Sequence, residues 1–240
     1  MDAPRLLACL QSDYAALRTA LAAAPPTAPV PTCPEWTAAD LSDHVAHVYL
    51  HKVEALLSGG PPHPWPPSDP VDLEESYVAL LTELTSRSPG EKAWSWYPPE
   101  QNVAFWIRRM AHETVIHRID AELAAGQPVS PVPDDLALDG IDELLTAFLA
   151  FSATEWPEEM NEVPVVPGEG VLRAGSQAWT ITLPGALVQP GTSPSARATV
   201  TGSPEGVLRW AWGRGGDGVA VSGDAAWVDG LRRCLAVATQ

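Results

Sequence analysis

Cysteine is scarce in this sequence, and its few copies form no motif. Cys9, Cys33 and Cys234 are odd in number and widely spaced, so they make neither a CxxC pair nor a disulfide framework. Reduced thiols in a cytoplasmic protein are the expectation. Basic charge is also short: 14 Lys and Arg stand against 30 Asp and Glu, and residues 119–172 hold twelve acids with no Lys or Arg. A chain so acidic repels phosphate backbones and anionic lipid, which argues against nucleic-acid and membrane-surface partners. Long apolar runs are missing too, so no segment reads as a membrane span. The opening MDAPRLLACLQSDY, with Asp2 and Asp13 around a short apolar stretch, makes a poor signal peptide. There is no internal repeat. The glycines of GRGGDG (213–218) lack the lysine and spacing of a phosphate-binding loop and read as a turn.

What the chain does have is apolar content, tryptophan and proline. Hydrophobic residues make up 45% of 240 positions and include ten Trp, which excludes a disordered chain and leaves room for at most two compact domains. Up to about residue 160 the apolar spacing is helical; beyond it, short β-branched runs and glycines take over. The first helix starts at Asp2-Ala-Pro4, carries Leu6, Leu7, Leu10, Tyr14, Leu17 and Leu21, and stops before Pro25-Pro26. The PTAPVPTCPEW stretch reads as a loop. Thr37-Ala-Ala-Asp40 then has capping-box spacing at the head of a second helix running to about residue 57. Prolines in 59–70 suggest a stiff extended crossover. A third helix over 71–87 carries Val78, Leu81 and Leu84; a fourth runs from about 102 to 125 and ends at Gly126; residues 135–156 are again helical. Later come candidate strands at 171–174, 178–183, 196–201 and 218–221, a short helix after Ser203-Pro204, and a last helix from Asp224. The expectation is an α+β protein: a four-helix bundle over 1–158 and a small α/β domain over 159–240.

The segment FWIRRMAHETVIHRID (105–120) carries the chemistry. Its histidines follow an HExxxH spacing, not the HExxH of zinc proteases. At about 100° per residue, His112 and His117 lie some 140° apart and do not clasp one ion easily. Glu113 and His117 lie about 40° apart and one turn along, in a row with Met110 and Trp106. A carboxylate and an imidazole on a core-facing stripe need partners, either one another or a metal ion. The second helix offers His44, His47 and His51 as a third ligand; His44 shares the stripe of Leu41, Val45 and Val48, while the other two drift to its flank. Two nitrogens, one carboxylate oxygen and an open position match a catalytic zinc arrangement, with Asp120 placed to orient a ligand.

Three segments, PTCPEWTAADLSDHVAHV (31–48), FWIRRMAHETVIHRIDAE (105–122) and VTGSPEGVLRWAWGR (200–214), together resemble the actinobacterial mycothiol-dependent maleylpyruvate isomerase family, whose first part belongs to the DinB-like group. The resemblance implies a metal-binding DinB-like four-helix bundle followed by a small α/β domain. It places the three metal ligands at His44, Glu113 and His117, so favouring His44 over His47, and matches the family's HRxDA segment to residues 117–121. It implies Zn²⁺ as the metal and mycothiol as the thiol cosubstrate, added to a small electrophile such as an unsaturated carboxylic acid, in cis–trans isomerisation or S-transfer. Arg214 matches the second domain's active-site arginine, a partner for a substrate carboxylate or enolate. Asp120 and Arg118 would orient ligands or cofactor, Arg118 being equally suited to pairing with a structural acid. Cys33 and the tryptophans read as packing residues. A hydrolase using metal-bound water, a non-catalytic DinB-like binding protein, and either a monomer or a homodimer are the alternatives the sequence leaves open.

Overall fold

The computed structural model describes residues 1–62 and 71–239; the proline-rich crossover expected over 59–70 thus falls largely outside the described residues. The chain divides into two compact units, Met1–Ser130 and Pro131–Gln240.

In the first unit, four helices form as their sequence signals direct: α1 (Ala3–Ala23), α2 (Ala38–Ser58), α3 (Leu73–Ser86) and α4 (Val103–Ala124). Each begins at a side-chain cap, in turn Asp2, Thr37, Asp72 and Asn102. At Thr37 the box is reciprocal: its hydroxyl accepts from the Asp40 amide while the Asp40 carboxylate accepts from the Thr37 amide at 2.8 Å. Gly126, at φ +66°, follows α4 as the glycine expected there. Helix α1 packs on α4, α2 on both α3 and α4. The core is built from Leu10 and Leu17, Leu41 and Val45, Leu80 and Leu84, and Trp106, Ile107 and Met110. On α3 the buried row is Ser76, Leu80 and Leu84, and Val78, one of the apolar positions read on this helix, is 55% exposed. Positions i, i+4 and i+8 face α2, and Val78 lies outside that row.

Helix α4 is buried nearly all round although Arg109, His112, His117, Arg118, Asp120 and Glu122 are polar. Every one of these groups therefore needs a partner. Between α1 and α2, the stretch expected as a loop forms a small antiparallel ribbon, β1 (Pro29–Val30) with β2 (Cys33–Thr37). A two-stranded ribbon is all edge, so prolines that a central strand would reject are tolerated.

The second unit begins with helix α5 (Asp134–Glu143), which runs through a π-helical segment (Leu144–Ala150) into α6 (Phe151–Glu155), followed by α7 (Pro157–Asn161). Its sheet has the order β5-β4-β3-β6-β7, from β3 (Gly168–Ala174), β4 (Gln177–Leu183), β5 (Leu187–Pro190), β6 (Ala198–Gly202) and β7 (Ala220–Gly223). All pairings are antiparallel except β3 with β6, where Val171 sits opposite Thr199. Helix α8 (Pro204–Ala211), capped by Ser203, and α9 (Ala225–Ala238), capped by Asp224, pack on the sheet. The α+β class agrees with the expectation. The boundary drawn at 158/159 falls inside the second unit, because α5 packs on α8, and the π segment on α9. The change of composition near residue 160 marks the passage from this unit's helices to its sheet. No helix among the described residues is long and apolar enough to cross a membrane.

Candidate metal centre

His44, in the second turn of α2, meets Glu113 and His117 across the α2–α4 contact. Their ligand atoms all lie within 4.8 Å of one another. His117 Nε2 is 3.1 Å from Glu113 Oε1, and His44 Nε2 is 3.6 Å from the same oxygen. Donors about 2.0–2.2 Å from a tetrahedral zinc ion are separated by roughly 3.3–3.6 Å; both spacings to Glu113 Oε1 are close to that, and the two histidine nitrogens lie within 4.8 Å of each other, near enough to close on one ion. The chemistry of the set, two imidazole nitrogens and one carboxylate oxygen, fits it as well. The side chains of His44, Glu113 and His117 are 25%, 17% and 9% exposed, so the cluster is sheltered while one side stays within reach of solvent.

Each ligand is aimed by a neighbour. His117 Nδ1 lies 3.0 Å from Asp120 Oδ2, and Asp120 is fully buried. A carboxylate at Nδ1 keeps the proton on that nitrogen and leaves Nε2 for a metal. Asp120 Oδ1 in turn accepts from the Thr32 hydroxyl, which the β1–β2 ribbon presents. Glu113 Oε2 accepts from Arg109 Nη2 at 2.8 Å, leaving Oε1 to face the histidines. The Trp36 ring, on β2, lies 4.6 Å from the His44 ring and 6.2 Å from that of His117.

The electrostatics follow from this packing. Burial disfavours a charged imidazole at His117, but Glu113 and Asp120 outweigh it and hold its pKa up at about 9. Burial likewise opposes ionisation of Glu113, yet His117, the contact with His44 and the Arg109 charge hold its carboxyl well below the ordinary range. In the absence of metal the cluster is thus an ion pair; with metal, the imidazole proton is what must leave.

Of the residues singled out by sequence, His44, Glu113, His117 and Asp120 come together. Arg118 does not join them. It is buried, donates through Nε to Asp13 Oδ1 (3.1 Å) and through Nη1 to Glu122 Oε2 (2.8 Å) and the Ser130 carbonyl (2.7 Å), and so ties α1 and the following loop to α4. This is the pairing with a structural acid that the sequence reading left open beside a cofactor contact. His112 is buried near Asp13, beside that same network. Arg214 lies in the second unit just after α8, where its Nη1 donates to the Trp212 carbonyl at 2.6 Å. Arg109 and Thr32 escaped sequence reasoning. Arg109 was in principle findable, since it precedes Glu113 by one helical turn; Thr32, 88 residues from Asp120, gave no local signal.

Comparison with known proteins agrees in both halves of the chain. The family model described as "Mycothiol maleylpyruvate isomerase N-terminal domain" matches residues 7–122, and "MDMPI C-terminal domain" matches residues 135–230. No curated protein sequence matches. Among solved structures, a crystal structure of "the mycothiol-dependent maleylpyruvate isomerase" superposes with a TM-score of 0.63 at 18% identity, covering 94% of this chain and 95% of that one. A structure of a histidine-to-alanine mutant under the same name gives a TM-score of 0.63 at 17% identity, with the same coverage. At these identities the likeness is one of fold. Because both family domains are matched, in order and over most of the sequence, the chain belongs to the mycothiol-dependent maleylpyruvate isomerase family.

Proposed function

We propose that this protein is a zinc-dependent enzyme that activates a low-molecular-weight thiol, mycothiol, for addition to a small electrophile, as an S-transferase or a cis–trans isomerase. The observation that carries the proposal is the convergence of His44 Nε2, Glu113 Oε1 and His117 Nε2, each side chain being sheltered and two of them held from behind. A zinc ion held by three protein ligands supplies an open position for the thiol sulfur and lowers its pKa, so that thiolate is present near neutral pH. Asp120 keeps a proton on His117 Nδ1, and Thr32 fixes the carboxylate that does so. Arg109 occupies the second oxygen of Glu113, which makes Glu113 a ligand and leaves no free oxygen on it to serve as a general base. The Trp36 ring, 4.6 Å from that of His44, shelters one side of it. Arg214 is assigned to the substrate's carboxylate or enolate, for which a guanidinium offers parallel N–H donors. The three cysteines form no disulfide, which suits the cytoplasm we assign to it.

The test begins with metal content per chain after exhaustive dialysis, for the wild type and His117→Ala side by side. About one zinc in the wild type and almost none in the variant supports the centre. Turnover of an unsaturated acid or other electrophile is then measured with and without mycothiol. Thiol-independent hydrolysis would replace the proposal with a metal hydrolase, and metal without turnover of any kind would leave a binding protein.

A further inference from the structure

Beyond the three ligands, a second charged group lies in the groove between α2 and α4, and neither the ligand set nor its supports use it. Lys52 follows His44 by eight residues on α2, about 12 Å along the axis. Helical side chains lean towards the N-terminus, so its long stem runs back in the direction of His44. Its ammonium lies 5.5 Å from the centre of the Trp106 ring, and Trp106 is on the same face of α4 as Arg109 and Glu113. It donates to His51 Nδ1 at 2.7 Å. Burial and Lys52 together push the His51 pKa down to about 4, so that ring is neutral and accepts.

A lysine ammonium has three donors. Among the described residues, His51 is the one hydrogen-bond partner the structure gives it, and no carboxylate lies within ion-pair distance. Glu113 is close enough to favour the charge, but its two oxygens are already directed at Arg109 and the histidines. Burial pulls the Lys52 pKa down to about 8 in spite of Glu113; a largely buried ammonium that no carboxylate among the described residues neutralises is costly, and a negative charge brought beside it would hold its proton. With zinc in place, the metal, Arg109 and Lys52 outweigh the carboxylates of Glu113 and Asp120, and the excess is positive.

The geometry points to Lys52 as an anion-binding residue that, with the Trp106 ring beneath it, receives a carboxylate of the substrate beside the metal centre. The inference rests on the proposed metal-dependent function and extends it by naming a residue of the first unit that receives the substrate's carboxylate. Lys52 is thereby a specificity residue, distinct from the metal ligands.

The test titrates maleate, a small unsaturated dicarboxylate, into the zinc-loaded protein by calorimetry, with the neutral diamide of maleic acid as control. Loss of a charge-assisted hydrogen bond in a sheltered site predicts that Lys52→Met weakens maleate by about tenfold or more, whereas Lys52→Arg retains most of the affinity. The diamide should bind wild type and Lys52→Met alike. Circular dichroism and zinc content are read on each variant; if Lys52→Met does not fold, Lys52→Gln takes its place. Maleate affinity unchanged in a zinc-replete Lys52→Met, or no maleate binding to the zinc-replete wild type, overturns the subsite and leaves the metal centre standing. Absence of zinc from the wild type would instead remove the function on which the subsite depends.

Discussion

A carboxylate has two oxygens, and at Glu113 they do different things. Oε2 is held by Arg109 at 2.8 Å, while Oε1 lies between the two histidines. The same division of labour recurs at His117, whose Nδ1 is given to Asp120. Removing such a support leaves all three ligands in place, so Asp120→Asn should weaken zinc binding by about 10- to 100-fold without abolishing it, read by competition with a chromogenic chelator. His117→Ala should abolish tight binding. The pH dependence has a definite sign. An imidazole whose pKa is raised to about 9 on folding is protonated and charged at neutral pH in the metal-free protein, so His117 must lose that proton to bind metal. Zinc uptake at pH 7 should therefore release about one proton from this site, and apparent affinity should climb with pH until about 9; calorimetry in buffers of different ionisation heat measures it. An uptake with no proton released would contradict the assignment. For the metal-free fold the contribution of His117 is complete below its unfolded pKa and is lost as pH rises through about 9, whereas that of Glu113 is lost in acid, as pH falls through its depressed pKa. At the level of residues, helical periodicity made the Glu113–His117 pair visible. Among the three histidines on α2 it set His44 on the apolar stripe, and the family resemblance agreed; which of them meets Glu113 depends on how two helices pack.

At the scale of elements, the position of His44 depends on where α2 begins. The helix starts at Thr37, whose reciprocal box with Asp40 fixes the first turn, and His44 follows in the second. Thr37→Ala removes the hydroxyl acceptor and should cost about 1 kcal/mol, seen as a lower urea midpoint in the metal-free protein. Metal stoichiometry should be unchanged, since the rest of α2 still packs on α3 and α4. Caps of this kind are written in short stretches of sequence, which is why α1, α2, α8 and α9 begin where Asp2, Thr37, Ser203 and Asp224 indicate. The β1–β2 ribbon was not legible. Pro29 and Pro34 argue against a strand in any sheet with a partner on both sides, and only the pairing of two edges admits them. Yet this ribbon delivers Thr32 to Asp120 and Trp36 to His44. Strand β5 escaped for a related reason: it is a largely exposed edge of four residues ending in proline, with no alternation to betray it.

At the scale of the molecule, the metal ligands and the residues that aim them all belong to the first unit, and each unit has its own core. Composition placed the division too late in the chain because it registers strands, and the second unit opens with helices. The core of that unit supplies a test of its independence. Gly170, in the middle of β3 and opposite Ala198 of β6, lies under the ring of Trp227 from α9. A Cβ added there would come within 2.2 Å of Trp227 Cη2, and the fully buried ring is further held by its Nε1 donating to the Gly168 carbonyl at 3.0 Å. The ring has no room to yield without moving α9, so Gly170→Ala should destabilise the second unit by about 1–3 kcal/mol. The expected signature is faster amide exchange in β3, β6 and α9, with the tryptophan near-ultraviolet signal altered. Exchange in α2 and α4 should stay as in the wild type, and so should zinc per chain, because His44, Glu113 and His117 are held by contacts within Met1–Ser130. A loss of zinc in parallel with the exchange changes would show that the two units fold as one, and that the metal centre draws on the second unit for its integrity.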